Sequence, residues 1–463
     1  MIGALSLTLP GKVHAPLKAH LFPGDGREAA ALLLCARAPG ARERMLVREF
    51  IPVPHAACAV RSADAITWPG AYLEQAIDAA EAERLAIMPI HSHPGGLFEF
   101  STRDDASDRI VMPALFQAHG EHHGSAIMTP DGAIRARLYA PNFAAQDVPL
   151  VSIVGDDIQF WWSADGPRQR RPMAFTGAMA RELGRLCAVV IGVSGTGSLV
   201  AEQLARLGFG RVILIDFDRV EGKNLNRIVN TRIVDVTAHR LKVESFAEAV
   251  EGYRGVGVAV AVPKSVTTRE AIEVAASGDV LFSCVDTLEA RQIADLMASA
   301  FLLPLLDVGV VIPVRKDGDG HAIGDVCGRI DYVQPGGSTL QDRGVYTPAD
   351  IRAEYLRRAA PEAHQLEVEA GYIRGLMEEA PGVITLNMRA AAASVNEFIA
   401  RAYPYRFDPN DRYARTMFSL AACEEDYTAE DAFPVAPNTL LASGDTEPLL
   451  GLAALKRPRK VAA

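Results

Sequence analysis

Residues 187–227 read CAVVIGVSGTGSLVAEQLARLGFGRVILIDFDRVEGKNLNR, and this stretch decides the fold. An apolar strand pattern leads into a glycine-rich loop, a helical pattern and a second apolar strand pattern that ends at Asp216. Strand, glycine turn, helix and strand in this order form a βαβ nucleotide-binding unit. Glycines let backbone N–H groups approach a phosphate closely, and the start of the helix adds a partial positive charge. Asp216 is placed to accept hydrogen bonds from ribose hydroxyls.

The glycine spacing differs from that of a dinucleotide site, which needs glycine at the first, third and sixth positions. Counting from Gly195 gives Val200 at the sixth position, and counting from Gly192 gives Ser194 at the third. Residues without a role in hydride transfer follow downstream: Asp218, Asn224, Asn226, Arg227, Lys242 and Glu244. The stretch therefore indicates a nucleotide site for another reaction.

Together these motifs resemble the ThiF/MoeB/ubiquitin-activating family, which adenylates the C-terminal glycine of ubiquitin-like proteins. The resemblance runs from about Arg168 to about Arg406. It implies ATP and Mg²⁺ as cofactors, bound by Gly192, Gly195, Gly197, Asp216, Asp218, Asn224, Arg227, Lys242 and Asp286. By this resemblance Asp216 holds the ribose and Asp286 the magnesium, while Asn224, Arg227 and Lys242 hold the triphosphate. The charges agree with these assignments, because Arg227 and Lys242 are cations that attract the triphosphate and Asp286 is a carboxylate that suits Mg²⁺.

A second motif, HSHPGGLFEFSTRD, occupies residues 91–104. His91 and His93 alternate on an extended segment, so both imidazoles point to the same side. Ser101 and Asp104 follow with the spacing S-x-x-D. Two imidazoles and one carboxylate make an open zinc site whose fourth position keeps a water. The S-x-x-D pattern alone is also a capping box at a helix start, and Ser101 can serve there too.

The combination resembles the JAMM (JAB) metalloprotease family, which removes ubiquitin-like proteins from isopeptide or peptide bonds. The resemblance covers roughly residues 10–140. It implies Zn²⁺ held by three ligands, His91, His93 and Asp104, and a Ser101 that stabilises the tetrahedral oxyanion. It also implies a catalytic glutamate just before a buried strand. Glu28, which precedes the apolar run AAALLLC, is the first choice, and Glu49 in the next strand pattern is the alternative.

The ThiF-type resemblance raises two further candidates. An arginine just upstream of the first Rossmann strand reaches the partner subunit's ATP site in that family, which points to Arg171 or Arg168 and to a homodimer. Some members carry a cysteine that takes the activated protein as a thioester. Cys327 in GDVCGRI is the best candidate and Cys423 the second, although an incidental cysteine explains Cys327 as well. Adenylation without a thioester also occurs in the family.

Composition limits the function class. The chain has 463 residues, a formal net charge of −10 and six cysteines without a C-x-x-C pair. The length predicts two or three domains, and the negative charge argues against nucleic acid as a partner. No segment has the pattern of a signal peptide or the length of a transmembrane helix. We therefore expect a cytoplasmic protein without a membrane partner or a disulfide framework.

The predicted fold class is α/β with two catalytic domains. A JAMM domain with a cytidine-deaminase-like α/β fold is expected at residues 1–145 and a Rossmann-like ThiF-type adenylation domain at residues 181–424. A connector lies between them at 146–180. Residues 425–463 lose periodicity and gain Pro, Ser, Glu and Asp, which predicts a partly disordered tail.

The predicted function is a bifunctional enzyme of a bacterial ubiquitin-like system. The first domain would cleave after the C-terminal glycine of a ubiquitin-like protein, and the second would adenylate that glycine, with a conjugating enzyme as a further partner. Fusions of this kind resemble bacterial conjugation modules, several of which are associated with antiphage defence, an analogy of context. The alternatives are activation of a sulfur carrier for thiocarboxylate-dependent biosynthesis, a JAMM peptidase with a non-catalytic ThiF-like scaffold, and adenylation of a short peptide, as in peptide-antibiotic maturation.

Overall fold

The computed structural model describes residues 5–120, 122–166, 171–317, 320–359 and 383–457, with residues 314–317 and 320–321 described by their backbone alone. It divides the chain into two compact units. The first unit consists of the described residues of Gly3–Arg171, Ser299–Leu302 and Thr439–Ala463. The second unit consists of those of Pro172–Ala298 and Leu303–Asn438.

The first unit is built on a nine-stranded mixed sheet. Its elements in chain order are β1 (Leu5–Pro10), α1 (Gly11–Leu21), β2 (Ala30–Arg37), β3 (Glu43–Pro52), β4 (Val60–Arg61), β5 (Ile66–Thr67), α2 (Ala71–Glu81), β6 (Ala86–Ser92), α3 (Thr102–Ala118), β7 (His123–Met128), β8 (Ile134–Tyr139), β9 (Ala145–Asp147), β10 (Leu150–Val154) and β11 (Ile158–Trp162). The strand order is β11-β10-β1-β3-β2-β6-β7-β8-β9, and β4 pairs with β5 in a separate hairpin. The segment expected to be a connector thus contributes β10 and β11 to this sheet.

Strand β2 lies inside this sheet and is buried on both faces. Leu33 and Cys35 pack into the hydrophobic cluster that contains Leu17 of α1. Leu32 and Leu34 pack into the opposite cluster, together with residues of α2 and α3. Successive side chains of a strand point to opposite faces, so helices on both sides require the continuous apolar run AAALLLC. The predicted buried strand is confirmed.

The second unit is built on an eight-stranded sheet. Its elements are α4 (Gly177–Leu183), β12 (Cys187–Ile191), α5 (Gly195–Leu207), β13 (Arg211–Ile215), α6 (Ile233–Thr237), α7 (Lys242–Arg254), β14 (Ala259–Val262), α8 (Arg269–Ala275), β15 (Val280–Ser283), α9 (Leu288–Ala300), β16 (Leu305–Val311), β17 (Val314–Asp317), β18 (Gly320–Ile323), β19 (Cys327–Val333), α10 (Pro348–Ala359), α11 (Ile384–Ala402), β20 (Arg415–Ser419) and β21 (Glu424–Thr428). The strand order is β14-β13-β12-β15-β16-β19-β20-β21, and β17 pairs with β18 apart from it.

The position of the nucleotide motif follows from this strand order. The strands from β14 to β16 are parallel, and β12 pairs with β13 on one side and with β15 on the other. After β12 the chain forms β13 and β14 on one side of that strand, and it then crosses to form β15 on the other side. Such a topological switch point opens a crevice at the carboxyl ends of the strands, where open α/β sheets bind ligands.

Two buried carboxylates face each other where the sheet turns antiparallel. Asp307 of β16 lies opposite Asp331 of β19, and both are fully buried. Like charges directly opposite each other destabilise a sheet. Arg329 forms ion pairs with both carboxylates, Arg291 with Asp307, and Arg343 with Asp331. Burial would raise the pKa of Asp307, but the Arg291 and Arg329 guanidiniums hold that pKa below its ordinary value.

The C-terminal segment differs from the expected disordered tail. Residues Glu424–Thr428 form β21, which pairs with β20. Further along, Ala442, Leu449 and Leu450 are buried in the first unit. The Ala442 carbonyl accepts from the Arg48 guanidinium at 3.2 Å, and its backbone N–H donates to Ser299 O at 3.0 Å. The expectation therefore does not hold for residues 425–455, because one part of the segment pairs with β20 and another buries apolar residues that follow no period.

Within the described parts of the chain, no helix is both long enough and apolar enough to cross a bilayer.

Candidate active sites

The first candidate site lies at the end of β6. His91 is in the strand and His93 follows it directly, and their Nε2 atoms are 3.0 Å apart. Asp104 Oδ1 lies 3.0 Å from His91 Nε2, and Asp104 Oδ2 lies 3.5 Å from His93 Nε2. The Nδ1 atom of His93 lies 2.7 Å from the Leu97 carbonyl oxygen, which orients the ring with Nε2 toward the other two side chains. Two imidazole nitrogens and a carboxylate thus converge on one point, as a metal site requires.

Glu28 joins this group from the segment just before β2. Its carboxylate oxygen lies within 4.8 Å of ring nitrogens of His91 and His93, a cluster able to hold a metal ion. Strands β2 and β6 pair so that Ala30 lies opposite His91, which brings the residue two positions earlier beside the histidines. Burial raises the pKa of Glu28, an effect that the two histidines partly oppose. The alternative, Glu49, is exposed on β3 and does not join the cluster.

Ser101 and Asp104 form a capping box at the start of α3. Ser101 Oγ accepts from the Asp104 backbone N–H at 3.3 Å, and Asp104 Oδ2 accepts from the Ser101 N–H at 2.6 Å. Burial would raise the pKa of Asp104, but hydrogen bonds from His91 and His93 hold it well below its ordinary value. The cap therefore fixes an ionised carboxylate beside the imidazoles, and the structural and the metal-binding interpretations of S-x-x-D apply together.

The second candidate site surrounds the glycine loop between β12 and α5. Gly192 has φ +81°, and a Cβ there would lie 2.8 Å from the Cys284 carbonyl oxygen. A Cβ at Gly197 would lie 1.7 Å from the Gly192 carbonyl oxygen. Only glycine fits these two positions, so the loop turns tightly and places the first turn of α5 against the crevice. Gly195 is the first residue of that helix.

Asp216 ties this loop to the end of β13. Its Oδ2 accepts from the Val193 N–H at 2.8 Å, and its Oδ1 accepts from the Asp218 N–H at 2.8 Å. Burial raises the pKa of Asp216, while Lys242 opposes that rise. The buried Lys242 also pairs with Asp218, with Nζ 2.7 Å from Oδ2. The carboxylates of Asp216 and Asp218 and the ammonium group of Lys242 therefore form one cluster of charged side chains.

The remaining motif residues lie around the same crevice. Asn224 is buried, and its Oδ1 accepts from the Glu221 N–H at 3.0 Å. Arg227 donates from Nη1 to the Lys223 carbonyl oxygen at 2.9 Å. Asp286 follows β15 and is exposed. A cavity of about 800 Å³ brings together eight predicted cofactor-binding residues: Gly192, Gly195, Asp216, Asp218, Asn224, Arg227, Lys242 and Asp286. Gly197 lies within α5 behind the loop.

Several residues of this cavity were not predicted from the motifs: Lys264, Arg291, Arg357, Arg358 and Asn387. They come from elements distant in sequence and carry no local motif. Asn387 lies on α11, and its Nδ2 would be 2.4 Å from a Cβ at Gly195. Non-local packing brings the others to the cavity, which spacing along the chain does not reveal.

The structure does not bring three other candidates to either site. Arg171 pairs with Asp157 at 3.6 Å, and Arg168 lies outside the described residues. Cys327 begins β19 and does not line the cavity. Its Sγ donates to Asp325 Oδ2 at 2.8 Å, and burial together with that carboxylate raises the pKa of the Cys327 thiol to about 11. The exposed Cys423 lies outside the cavity as well.

Models of known protein families match both units. Residues 168–398 match the model of the ThiF family, and residues 11–139 match the model of prokaryotic homologs of the JAB domain. Ubiquitin-like modifier-activating enzyme 5 of Culex quinquefasciatus is 32% identical over 160 residues, which is 32% of this chain and 36% of the relative. The same enzyme of Aedes aegypti is 27% identical over 202 residues, 41% of this chain and 47% of the relative. This chain thus spans less than half the length of these relatives.

Among solved structures, E. coli MccB aligns with a TM-score of 0.42 and 17% identity, covering 57% of this chain and 68% of that chain.

Proposed function

The chain joins a JAB-like domain at residues 11–139 to a ThiF-type domain at residues 168–398, and we propose that both act on the C-terminus of a ubiquitin-like protein. The first domain cleaves after the C-terminal glycine, and the second activates that glycine with ATP. The observation that carries the proposal is the cluster of Glu28, His91 and His93, in a chain whose other unit gathers the adenylation motif residues in one cavity.

The side chains of the first site suit zinc. His91, His93 and Asp104 would hold it, since their donor atoms converge and the Asp104 carboxylate is held in its ionised form. Bound Zn²⁺ supplies a water of lowered pKa and polarises a carbonyl. Glu28 would accept a proton from the attacking water and pass it to the departing amine, a role that a carboxylate with a raised pKa suits. The Ser101 hydroxyl donates to the oxyanion, because its oxygen already accepts from the Asp104 N–H.

The second site suits ATP with Mg²⁺. Lys242 and Arg227 hold the triphosphate with Asn224, and the loop N–H groups support it from the start of α5. Asp216 would hold the ribose, and Asp286 would hold Mg²⁺, which neutralises phosphate charge when bound. The glycine carboxylate attacks the α-phosphorus. A carboxylate oxygen–phosphorus bond forms, the bond from the α-phosphorus to the bridging oxygen breaks, and pyrophosphate leaves.

The surroundings of Cys327 favour transfer without a thioester at this residue. A raised pKa keeps its sulfur in the thiol form, and only a thiolate is a good nucleophile. The acyl-adenylate is then released to an external nucleophile, either a conjugating partner or a sulfur donor that yields a thiocarboxylate. The second outcome is the sulfur-carrier function. A role in antiphage defence rests on the domain combination alone.

Mass spectrometry of a candidate ubiquitin-like protein tests the proposal. The protein carries a few residues beyond its glycine and is incubated with the full chain, ATP, Mg²⁺ and Zn²⁺. Loss of the tail and a new AMP adduct would support both activities and show their order. A thiocarboxylate product after a sulfide donor is added would favour the sulfur-carrier function. Trimming without an adduct, together with no exchange of pyrophosphate into ATP, would favour the scaffold function of the second domain.

A further inference from the structure

The segment that carries Asp286 is held through its backbone. Asp286 lies between β15 and α9, and within the described parts of the chain its carboxylate has no hydrogen-bond partner. Its neighbours Val285 and Leu288, in contrast, are both bonded to distant charged side chains. The direction of the Asp286 carboxylate therefore depends on how these neighbours are fixed.

The inner attachment is Arg291, in the second turn of α9. Its Nη2 donates to the Val285 carbonyl oxygen at 2.7 Å, and its Nη1 pairs with the buried Asp307 of β16. The same guanidinium lies 3.4 Å from the Val308 carbonyl oxygen. The Arg291 side chain thus connects Val285, the residue before Asp286, to the core of the sheet.

The outer attachment is Glu354, which belongs to α10. Its Oε1 accepts from the Leu288 N–H at 3.1 Å, and its Oε2 accepts from the Glu289 N–H at 3.0 Å. These donors lie in the first turn of α9, where backbone N–H groups have no partner within the helix. One helical turn along α10, Arg358 pairs with Glu289 at 2.6 Å. Helix α10 is therefore docked on the first turn of α9 at two points.

We propose that Glu354 is a positioning residue for Asp286. The inference rests on the proposed function, in which Asp286 holds Mg²⁺. Glu354 acts through the backbone of α9, because the two N–H groups that it fixes begin two residues after Asp286. It also cancels the partial positive charge of the helix start, which would otherwise disfavour a cation beside Asp286. Docking of helix α10 thereby affects the position of Asp286. The same helix lines the cavity with Arg357 and Arg358.

Mg²⁺-dependent binding of ATP to the full chain tests this role. ATP affinity is measured by calorimetry over a range of Mg²⁺ concentrations for wild type, Glu354→Ala, Glu354→Gln and Asp286→Ala. We expect Glu354→Ala to raise the half-saturating Mg²⁺ concentration roughly five- to tenfold, the fold-change that corresponds to the free energy of a lost helix cap. Glu354→Gln gives an intermediate value, because the amide keeps one acceptor oxygen. ATP binding without Mg²⁺ remains that of wild type.

The matched control is Glu270→Ala, which removes an exposed carboxylate from the first turn of α8. This variant keeps the wild-type Mg²⁺ requirement. If Asp286→Ala loses the Mg²⁺ dependence while both Glu354 variants keep it, the positioning role is overturned and the magnesium assignment stands. If Asp286→Ala keeps wild-type Mg²⁺ dependence, the magnesium assignment fails and the inference fails with it. Equal loss of ATP affinity with and without Mg²⁺ in both Glu354 variants would show general loosening and also overturns the role.

Discussion

Glu28 and Glu49 were both candidates for the proton acceptor of the first unit, and their surroundings separate them. Glu28 is 7% exposed and lies beside the two histidines, whereas Glu49 is exposed on β3. We expect Glu28→Gln to lower the rate of cleavage about 100-fold or more, the usual contribution of a general base. Glu49→Gln is the matched control and keeps the wild-type rate. The measurement is cleavage of a tailed ubiquitin-like protein, and equal rates in both variants would exclude Glu28.

Cys327 should react slowly because burial and the Asp325 carboxylate both disfavour its thiolate. A thiol pKa of about 11 leaves about 100-fold less thiolate at pH 8 than the ordinary pKa of 9.0. Alkylation of Cys327 by iodoacetamide, followed by mass spectrometry, should rise about tenfold per pH unit from pH 7 to 10. Asp325→Asn removes the carboxylate that disfavours the thiolate, so that variant should react faster. Alkylation of Cys327 at pH 7 as fast as that of the exposed Cys423 would contradict the assigned pKa direction.

At the residue scale, spacing along the chain was informative where the site is built from one or two segments. The H-x-H and S-x-x-D patterns place three converging side chains because a strand end and a helix start fix their directions. Glu28 needed a further step, since its neighbourhood depends on the pairing of β2 with β6. Glu354 could not be predicted, because it reaches α9 from 66 residues away and carries no motif. The roles of all these residues stay predictions until they are tested.

At the element scale, the C-terminal segment is expected to stabilise the first unit. Leu449, Leu450 and Leu455 are buried there. Removing the chain from residue 439 onward should lower the free energy of unfolding of the first unit by on the order of 5 kcal/mol, given about 1.5–3 kcal/mol for each buried leucine. Denaturant unfolding followed by tryptophan fluorescence measures this unit selectively, because the three tryptophans of the chain, Trp68, Trp161 and Trp162, all lie in it.

Two point variants accompany this deletion. Leu450→Ala should lower the same free energy by about 2–5 kcal/mol, because it leaves a cavity. Val435→Ala is the control, since Val435 is 54% exposed. An unchanged unfolding midpoint for both the deletion and Leu450→Ala would show that the segment does not support the first unit.

Element prediction succeeded where periodicity was strong. The strand, helix and strand expected in the first part of residues 187–227 are β12, α5 and β13. Helix α5 buries its apolar residues against the sheet. The order of the C-terminal segment was not predicted, because its leucines are scattered among Pro, Ser and Asp without a period. Its backbone is satisfied by bonds to distant residues, such as Asp445 N–H to Arg37 O at 2.8 Å.

At the scale of the whole molecule, the two sites share no residue and lie in different units. Asp104→Ala should therefore remove zinc and peptide cleavage but keep exchange of pyrophosphate into ATP. Asp286→Ala should abolish that exchange and keep cleavage. Each variant serves as the folding control for the other. Cleavage by the Asp104 variant would refute the metal assignment, and normal exchange by the Asp286 variant would mean that the magnesium site is elsewhere.

The order of the two domains was predictable from the sequence, but the extent of the first unit was not. The zinc motif and the nucleotide motif lie far apart in the sequence and serve different chemistries. They can therefore be assigned to two domains without knowledge of contacts. The return of residues 439–455 to the first unit depends on contacts with residues such as Arg37 and Arg48. Such contacts over some 400 positions leave no pattern within any window of the sequence.

The return of the chain to its first unit has a consequence for protein synthesis. A ribosome releases the N-terminal residues first, and domains usually fold in that order. Here residues 172–438 must be translated before the buried leucines that complete the first unit exist, a delay of roughly 10–60 s at about 5–20 residues per second. A nascent chain or a prematurely terminated product thus lacks part of that core, and the first unit is completed only once the second unit has been made.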